Sequence, residues 1–295
     1  MTSRHFAIVG DPVSHSKSPE MHAAAYAATG LDCTYDAIRV TDTGLASIVG
    51  LLRAGELDGV NVTIPHKQRI LAHVDLVDPG ARKVGAANTL VRDPQGRIVA
   101  HNTDVPGLAE ELSSLAPEVS RGDWAKAEAL VLGTGATARA AILALACHLE
   151  VGRITVRGRA FEGMARREGF FAEVSELLVR AGAASALRLE PWEPNVDTER
   201  EVVAIVQATS LGMEGAGPGE VAALAVAWPS VRPSSVALDV VYRKRTTAFV
   251  TDARRQGLRS SDGRGLLARQ GALAFELWLG RPAPTLAMHA ALASL

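Results

Sequence analysis

Short apolar runs alternate with segments of helical periodicity along the first part of the chain. The run 6–9 predicts a strand that ends at Gly10-Asp11-Pro12. Ser18-Pro19 then predicts the start of a helix that reaches about Ala28, with Ser18 as N-cap. The same pattern predicts strands at 34–40, 59–64, 87–92 and 96–101 and helices at 45–54, from 66 and at 108–115. Alternating strands and helices are typical of an α/β fold.

A second series of alternating elements begins after the stretch 117–123. Its apolar segments predict strands at 129–132, 153–156, 187–189, 202–207 and 236–240. Helical periodicity predicts helices within 134–149 and at 162–180, 247–256, 266–279 and 285–295. We therefore expect a second α/β domain after the first.

Composition adds limits on partners and location. The chain has 295 residues, 47% of them hydrophobic, which suits two domains with their own cores. A net charge of -1 with no basic tract argues against a nucleic-acid partner. Cys33 and Cys147 lie far apart without metal-like spacing, which indicates a reducing compartment. The run 6–9 is too short for a signal peptide and no apolar run can span a bilayer, so we expect a soluble, cytoplasmic protein without a membrane partner.

A glycine-containing turn follows the predicted strand 129–132 and precedes a helix. It reads Gly133-Thr134-Gly135-Ala136-Thr137-Ala138. In dinucleotide-binding turns the first glycine permits the tight turn and the second lets the backbone approach a pyrophosphate, while a small residue at the position of Ala138 lets the helix pack on the sheet. An ordinary strand-to-helix turn is the alternative. The strand before it and the helix after it favour a dinucleotide, with its phosphates at the helix N-terminus.

The end of the next predicted strand indicates which dinucleotide binds. NAD-binding proteins usually carry an acidic residue there, which binds the ribose 2′-hydroxyl. This chain has Arg157-Gly158-Arg159 instead, with two guanidinium groups that suit a 2′-phosphate. The sequence therefore predicts NADP, with a solvated basic loop as the alternative for either arginine.

Polar residues cluster at three places in the first half, each near the end of a predicted strand. The clusters are Ser14–Pro19, Asn61–Lys67, and Asn88-Thr89 together with Asn102-Thr103-Asp104. Hydroxyl groups at a helix N-terminus suit a carboxylate ligand, and the two-residue period of a strand places Asn61 and Thr63 on one face. Taken singly, Ser18 and Asp104 would be helix caps and Lys67 a solvated side chain.

In order and spacing, these segments resemble the shikimate dehydrogenase family. The matching motifs are Ser-x-Ser-Pro at 16–19, Asn-Val-Thr-x-Pro-x-Lys at 61–67, Gly-Ala-x-Asn-Thr at 85–89, Asn-Thr-Asp at 102–104, Ala-Thr-Ser-x-Gly-Met at 208–213, Asp-x-Val-Tyr at 239–242 and Asp-Gly-x-Gly-x-Leu-x-x-Gln at 262–270. The motifs cover nearly the whole chain, and jointly they override the separate interpretations of single residues.

The resemblance implies a reversible, NADP-dependent reduction of 3-dehydroshikimate to shikimate, in the biosynthesis of chorismate and the aromatic amino acids. It implies that Lys67 and Asp104 form the catalytic acid–base pair, without a metal. The implied substrate-binding residues are Ser16, Ser18, Asn61, Thr63, Asn88, Asp104, Tyr242 and Gln270. The implied cofactor-binding residues are Gly133, Gly135, Ala136, Thr137, Ala138, Arg157, Arg159, Thr209, Ser210, Met213, Val240 and Gly263.

The resemblance also implies a domain organisation. Residues 1–103 would form an α/β substrate domain, 104–263 a Rossmann-like, doubly wound NADP-binding domain, and 264–295 helices that return to the substrate domain. The active site would lie between the domains, whose closure would align nicotinamide and substrate. We expect a monomer or homodimer.

Departures from the family pattern affect mainly the cofactor site. Ala136 replaces a glycine and so needs a negative φ, while Gly158 and Ala160 replace two polar neighbours of Arg159, which leaves NAD possible. Gln207 replaces a common Asn, and Leu266 replaces a common Met with little change in volume. The alternatives are an NAD-dependent quinate/shikimate dehydrogenase and a non-catalytic NADP-binding sensor.

Overall fold

Two six-stranded sheets, one in each of two units, organise the chain. The computed structural model describes residues 3–213 and 215–293. The first unit comprises the residues up to Gly107 together with those from Leu267 on, and the second unit comprises Leu108–Leu266. Among the helices of the described ranges, none is both long enough and apolar enough to cross a membrane.

Strands and helices alternate through both units. The strands are β1 (Arg4–Gly10), β2 (Cys33–Arg39), β3 (Gly59–Val62), β4 (Leu76–Val77), β5 (Thr89–Arg92), β6 (Ile98–His101), β7 (Glu128–Leu132), β8 (Arg153–Arg157), β9 (Ala186–Glu190), β10 (Val202–Gln207), β11 (Val236–Asp239) and β12 (Arg259–Ser261). The α-helices are α1 (Ser18–Thr29), α2 (Leu45–Ala54), α3 (Pro79–Val84), α4 (Asp104–Leu115), α5 (Arg121–Trp124), α6 (Ala136–Leu143), α7 (Met164–Ala181), α8 (Val196–Glu201), α9 (Glu220–Ala223), α10 (Ala248–Arg255), α11 (Gly263–Leu279) and α12 (Thr285–Ala293).

The first sheet is mixed and is covered on both faces. Its strand order is β2-β1-β3-β5-β6-β4, with β1 parallel to β2 and β3, and β5 antiparallel to β3 and β6. Alternate residues of β1 enter two different cores: Phe6 and Ile8 pack with residues of α1, α11 and α12, whereas Ala7 and Val9 pack with residues of α2. The two-residue period of the strand therefore builds a helix–sheet–helix sandwich.

The indole of Trp278 packs directly on the backbone of the first sheet. Its Nε1 donates a hydrogen bond to the Leu90 carbonyl at 2.9 Å, and a Cβ at Gly59 would overlap the ring. Glycine at position 59 thus lets α11 lie close to the sheet.

The second sheet is entirely parallel. Its order, β12-β11-β10-β7-β8-β9, runs outward in both directions from the central pair β7 and β10. This is the doubly wound topology, in which ligands bind beyond the carboxyl ends of the strands where the order reverses. The fold class predicted from the sequence is confirmed.

Most predicted elements are present, and several need correction. The helix predicted from residue 66 is wrong, since that stretch contains only a 3-10 turn at Arg69–Ala72. The sequence did not predict the short elements β4, β12, α3, α5, α8 and α9. Ser18 is not an N-cap, because α1 begins at Ser18 and no side chain caps the helix. The predicted helix 285–295 runs to Ala293, and its last two residues lie outside the described residues.

Gly59→Ala should destabilise the first unit by about 1–3 kcal/mol, because the added methyl group must displace the buried Trp278 ring. Gly50→Ala is the matched control: residue 50 is exposed within α2 and a Cβ there meets no atom within 4 Å. This control should raise stability slightly, by about 0.5–1 kcal/mol. Urea unfolding measures both changes, and equal stability of the two variants would contradict this packing.

Candidate active site

Asn61 is held in the middle of the first sheet by its neighbours across the strands. It lies in β3, paired with Ile8 of β1 and Thr89 of β5. Its Nδ2 donates to the Asn88 carbonyl and to Thr89 Oγ1, both at 3.0 Å, and its Oδ1 accepts from the Tyr35 hydroxyl at 2.7 Å. These contacts fix the orientation of the buried amide.

The side chain of Asn88 connects three segments of the first unit. Its Oδ1 accepts from the Thr103 N–H at 2.7 Å, and its Nδ2 donates to Thr103 Oγ1 at 2.9 Å and to Asp104 Oδ1 at 3.0 Å. The same Nδ2 reaches Gln270 Oε1 on α11 at 3.3 Å, although the two residues are 182 positions apart. One amide therefore joins the start of β5, the start of α4 and α11.

Lys67 and Asp104 form an ion pair beside this amide. Lys67 Nζ donates to Asp104 Oδ2 at 2.7 Å, and the two side chains are 15% and 11% exposed. The turn that carries Lys67 is fixed by a hydrogen bond of 2.8 Å from the Ala87 N–H to the Lys67 carbonyl. The pair is shielded but still reachable, which suits an ammonium group that donates a proton to a bound oxygen.

Asp104 owes its position to the start of α4. The Asn102 amide oxygen accepts from the N–H groups of Asp104 and Val105 at 3.1 and 3.2 Å, and the Asn102 Nδ2 donates to the Ala86 carbonyl at 3.0 Å. A carboxylate in the first turn faces the positive end of the helix dipole. The Asn-Thr-Asp segment thus works as one unit in which Asn102 positions the carboxylate.

Ser16 and Ser18 lie together at the start of α1. Ser16 Oγ donates to Ser18 Oγ at 3.2 Å and accepts from the Ser18 N–H at 3.3 Å. Hydroxyl groups at a helix N-terminus are suited to a carboxylate ligand. Thr63 is half-buried just beyond β3, where its N–H donates to the Val9 carbonyl at 2.9 Å.

Tyr35 links the two serines to Asn61. Its hydroxyl accepts a hydrogen bond from Ser18 and donates to Asn61 Oδ1 at 2.7 Å. Burial raises the pKa of Tyr35 despite the hydrogen bond from Ser18, so the phenol keeps its proton. His22 stacks on the Tyr35 ring with centroids 4.3 Å apart, and burial lowers the pKa of His22 to about 3, so this imidazole is neutral.

Sequence reasoning missed Tyr35 because a tyrosine in an alternating strand indicates a core residue. Its hydroxyl group could have indicated a polar neighbour, since the hydroxyl of a buried tyrosine usually forms a hydrogen bond. The other predicted substrate residues of the first unit, apart from Thr63, belong to one hydrogen-bonded network. Tyr242 lies in the second unit, beside Gly263.

In the second unit, the turn after β7 has the geometry of a phosphate loop. Gly133 has a φ of 115°, and a Cβ there would lie 2.9 Å from Thr209 Cγ2. Gly135 is exposed at the N-cap of α6, where a Cβ would meet no atom within 4 Å and no side chain caps the helix. The open N-terminus of α6 therefore fits an anionic ligand such as a pyrophosphate.

The replacement of glycine by Ala136 causes no backbone strain. Ala136 is the first residue of α6, and Ala138 is fully buried, where it lets the helix pack closely. Among the described non-glycine residues only Glu150 has a positive φ. Thr137 lies between Ala136 and Ala138 in the first turn of α6 and is half-buried.

The loop after β10 is organised by Gln207, another residue whose role was not predicted. Its Oε1 accepts from the N–H and the hydroxyl of Thr209 at 2.6 and 2.7 Å, and its Nε2 donates to the Leu211 carbonyl and to Asp239 Oδ1, both at 3.2 Å. Ser210 is exposed in this loop and Met213 is half-buried. Burial raises the pKa of Asp239 to about 6.

Val240 and Gly263 lie next to one another at the end of this sheet. The Gly263 N–H donates to the Val241 carbonyl at 3.2 Å, and a Cβ at Gly263 would overlap the Val240 carbonyl oxygen. Only glycine allows this approach. Both residues therefore occupy the strand ends where a doubly wound sheet binds its ligand.

The structure contradicts the predicted phosphate-binding role of Arg157. The side chain is fully buried, with its guanidinium bound to Glu190 at 2.5 Å, to Glu199 at 2.7 Å and to the Ala225 carbonyl at 2.6 Å. Parallel pairing sets Arg157 of β8 directly beside Glu190 of β9. Burial raises the pKa of Glu190, but the hydrogen bonds from Arg157 and Thr198 outweigh it, so the pKa lies below its usual value.

Arg159, two residues on, is exposed. It begins a 3-10 turn that ends at Glu162, and its guanidinium carbon lies 5.7 Å from the centroid of the Trp192 ring. Of the two arginines that the sequence offers for a 2′-phosphate, Arg159 alone is accessible. Among the described residues, no cluster of three or more His, Cys, Asp and Glu side chains could hold a metal ion.

Comparisons with known proteins span the chain. A model of the shikimate dehydrogenase substrate binding domain matches residues 8–90, and a model of the shikimate 5′-dehydrogenase C-terminal domain matches residues 263–293. The curated NADP(+) shikimate dehydrogenase of Symbiobacterium thermophilum is 38% identical over 300 residues, which cover 99% of this chain and 95% of that protein.

Two solved structures show the same architecture. The shikimate 5-dehydrogenase of Thermus thermophilus, in complex with NADP(H) and shikimate, is 32% identical with a TM-score of 0.76 and 99% coverage of both chains. The ligand-free 5-ketofructose reductase of a Gluconobacter species is 27% identical with a TM-score of 0.82, and the match covers 100% of this chain and 99% of that one.

Arg157→Leu should lower the free energy of unfolding by about 3–5 kcal/mol, because it leaves two buried carboxylates without their partner. Arg188→Leu is the control, since Arg188 also pairs with Glu190, at 3.0 Å, but is exposed, and its loss should cost less than about 1 kcal/mol. Urea unfolding gives both values. A stable Arg157→Leu protein with weakened NADP binding would restore the role predicted from the sequence.

Proposed function

The chain belongs to the shikimate dehydrogenase family, and from that premise we propose how it carries out the reversible NADP-dependent reduction of 3-dehydroshikimate to shikimate. It is an oxidoreductase that uses NADP. The proposal assigns the substrate to the first unit and the cofactor to the second. It places the reaction in aromatic amino-acid biosynthesis.

The Lys67–Asp104 ion pair carries this proposal. In it, a partly exposed ammonium group lies beside a set of fixed hydrogen-bonding side chains. A polyhydroxylated ring is recognised well by such a set, because a ligand that leaves a buried polar group unpaired loses binding energy. Ser16 and Ser18 would bind the carboxylate, and Asn61, Thr63, Asn88, Asp104 and Gln270 would bind the ring hydroxyls.

Reduction of the ketone develops negative charge on the carbonyl oxygen, which a proton donor must neutralise. Bound NADPH supplies the hydride that adds to the carbonyl carbon. As the carbonyl π electrons move onto oxygen, Lys67 Nζ donates a proton to that oxygen and becomes a neutral amine. Asp104 Oδ2 accepts a hydrogen bond from Nζ and holds it in place before the transfer. In the oxidation direction the neutral Lys67 amine takes the hydroxyl proton.

Two observations support NADP binding by the predicted cofactor residues. The exposed Gly135 at the uncapped start of α6 offers space and N–H groups to a pyrophosphate. Arg159 is exposed and offers a guanidinium group to a 2′-phosphate. Thr209, Ser210, Met213, Val240 and Gly263 lie near the strand ends where nicotinamide would bind, and we keep Tyr242, which lies beside Gly263, as a candidate substrate-binding residue.

The proposal extends to location and assembly. We place the protein in the cytoplasm, as a monomer or homodimer without nucleic acid. A net charge of -1 and only two cysteines in the chain support this part of the proposal.

A substrate and cofactor matrix tests the activity. Oxidation of shikimate and of quinate is measured with NADP and with NAD by the absorbance of the reduced nicotinamide, and reduction of 5-ketofructose is assayed beside them. We expect shikimate with NADP to give the highest kcat/KM. A preference for quinate or NAD would favour the alternative of an NAD-dependent quinate/shikimate dehydrogenase. A preference for 5-ketofructose would contradict shikimate as the substrate. A folded protein without activity would favour the non-catalytic NADP-binding sensor.

Lys67→Met should lower kcat for shikimate oxidation by about 10²- to 10⁴-fold, because the proton acceptor is lost, while the Kd for NADP stays unchanged. Lys83→Met, which removes an exposed lysine of α3, is the control and should keep normal turnover. Stopped-flow or steady-state kinetics and calorimetric NADP titration measure the two effects. Turnover near that of the unmodified protein would remove Lys67 from the mechanism.

A further inference from the structure

Trp192 has no role in the site described so far, yet its ring lies under the only arginine of the Arg157-Gly158-Arg159 segment that is exposed. We infer that Trp192 is the positioning residue for Arg159 and thereby sets the preference of this chain for a 2′-phosphorylated nucleotide. The inference rests on the proposed function, because it concerns how the NADP site distinguishes NADP from NAD.

Among the described residues, no carboxylate neutralises the charge of Arg159. In the ranges 3–213 and 215–293, no carboxylate lies within ion-pair distance of its guanidinium group, whereas Arg139, Arg153, Arg157 and Arg188 of the same unit each pair with an acid. A cation over an aromatic face keeps its full charge and its N–H edge for a further ligand. An aromatic neighbour therefore locates the side chain without competing for the phosphate.

Trp192 is itself well anchored. It is half-buried and packs against the core of the second sheet. It directly follows Pro191 and Glu190, and Glu190 binds Arg157, Thr198 Oγ1 at 2.6 Å and Asn195 Nδ2 at 3.1 Å. The buried ion pair of Arg157 thus has a use in the site, since it fixes the end of β9 from which the indole extends.

The two residues adjacent to Arg159 in sequence, Gly158 and Ala160, offer no side chain that could orient its guanidinium group. Gly158 has no room for a side chain, since a Cβ would lie 2.8 Å from Thr134 Cγ2 and 3.0 Å from Phe161 Cε2. Its N–H donates to the Glu190 carbonyl at 3.2 Å, which ties the segment to β9. Ala160 on the other side offers no polar group. The Trp192 ring is thus the contact that the structure provides for the Arg159 head group.

The test measures binding of two probes that differ by one phosphate, adenosine 2′,5′-bisphosphate and adenosine 5′-monophosphate, by calorimetry on the full chain. Trp192→Leu should weaken bisphosphate binding about two- to fivefold and leave monophosphate binding unchanged. Trp192→Phe, which keeps a smaller ring, should weaken bisphosphate binding less than Trp192→Leu does, by about twofold. Steady-state kinetics should show the same change in KM for NADP, with kcat and the KM for NAD unaltered.

A double-mutant cycle separates this inference from the proposed function. Arg159→Ala should weaken bisphosphate binding about 10- to 100-fold, and Trp192→Leu added to it should have no further effect. An equal loss for both probes would place Trp192 on the adenine ring and overturn the inference, as would an unchanged bisphosphate affinity in Trp192→Leu. A harmless Arg159→Ala would contradict the proposed NADP site itself. If Trp192→Leu does not fold, the same cycle is measured with Trp192→Phe. This variant should weaken bisphosphate binding about twofold, and it should have no effect in the Arg159→Ala background.

Discussion

The side-chain amide of Asn88 is the constraint on which the substrate half of the molecule depends. Both of its polar atoms form hydrogen bonds with the Thr103-Asp104 segment, and its Nδ2 also reaches Gln270 on α11. Because buried amides must be satisfied, this network permits one arrangement of the start of α4. Lys67 binds the Asp104 carboxylate that this arrangement holds, so the ion pair depends on the hydrogen bonds of the amide.

Two arginines separated by one residue illustrate how context decides the use of a charge. Arg157 ends a strand whose parallel register sets it beside Glu190, so it becomes a buried structural cation. Arg159 lies beyond the strand on a turn, where its exposed guanidinium group faces an indole. The buried ion pairs of Arg157 are structural: they fix the strand ends that carry Arg159 and Trp192.

Much of this could be predicted from the sequence, and the exceptions have physical reasons. Strands with clear apolar runs, such as 202–207, were predicted to the residue because both faces of a parallel strand are buried. The two-residue β4 has too little pattern to detect, and the polar stretch after Pro65 suggested a helix where only a turn forms. Motif order predicted most residues that the first unit joins in one hydrogen-bonded network. It predicted neither Tyr35 nor the burial of Arg157, since both depend on partners in distant strands.

A crystal structure of the protein with bound shikimate tests the central claim most directly. The account predicts the ligand carboxylate on the hydroxyl groups of Ser16 and Ser18, ring hydroxyls on Asn61 and Asn88, and the oxygen of the reacting carbon within hydrogen-bond distance of Lys67 Nζ. Shikimate bound away from this network, or bound in it with Lys67 turned from the reacting oxygen, would contradict the account.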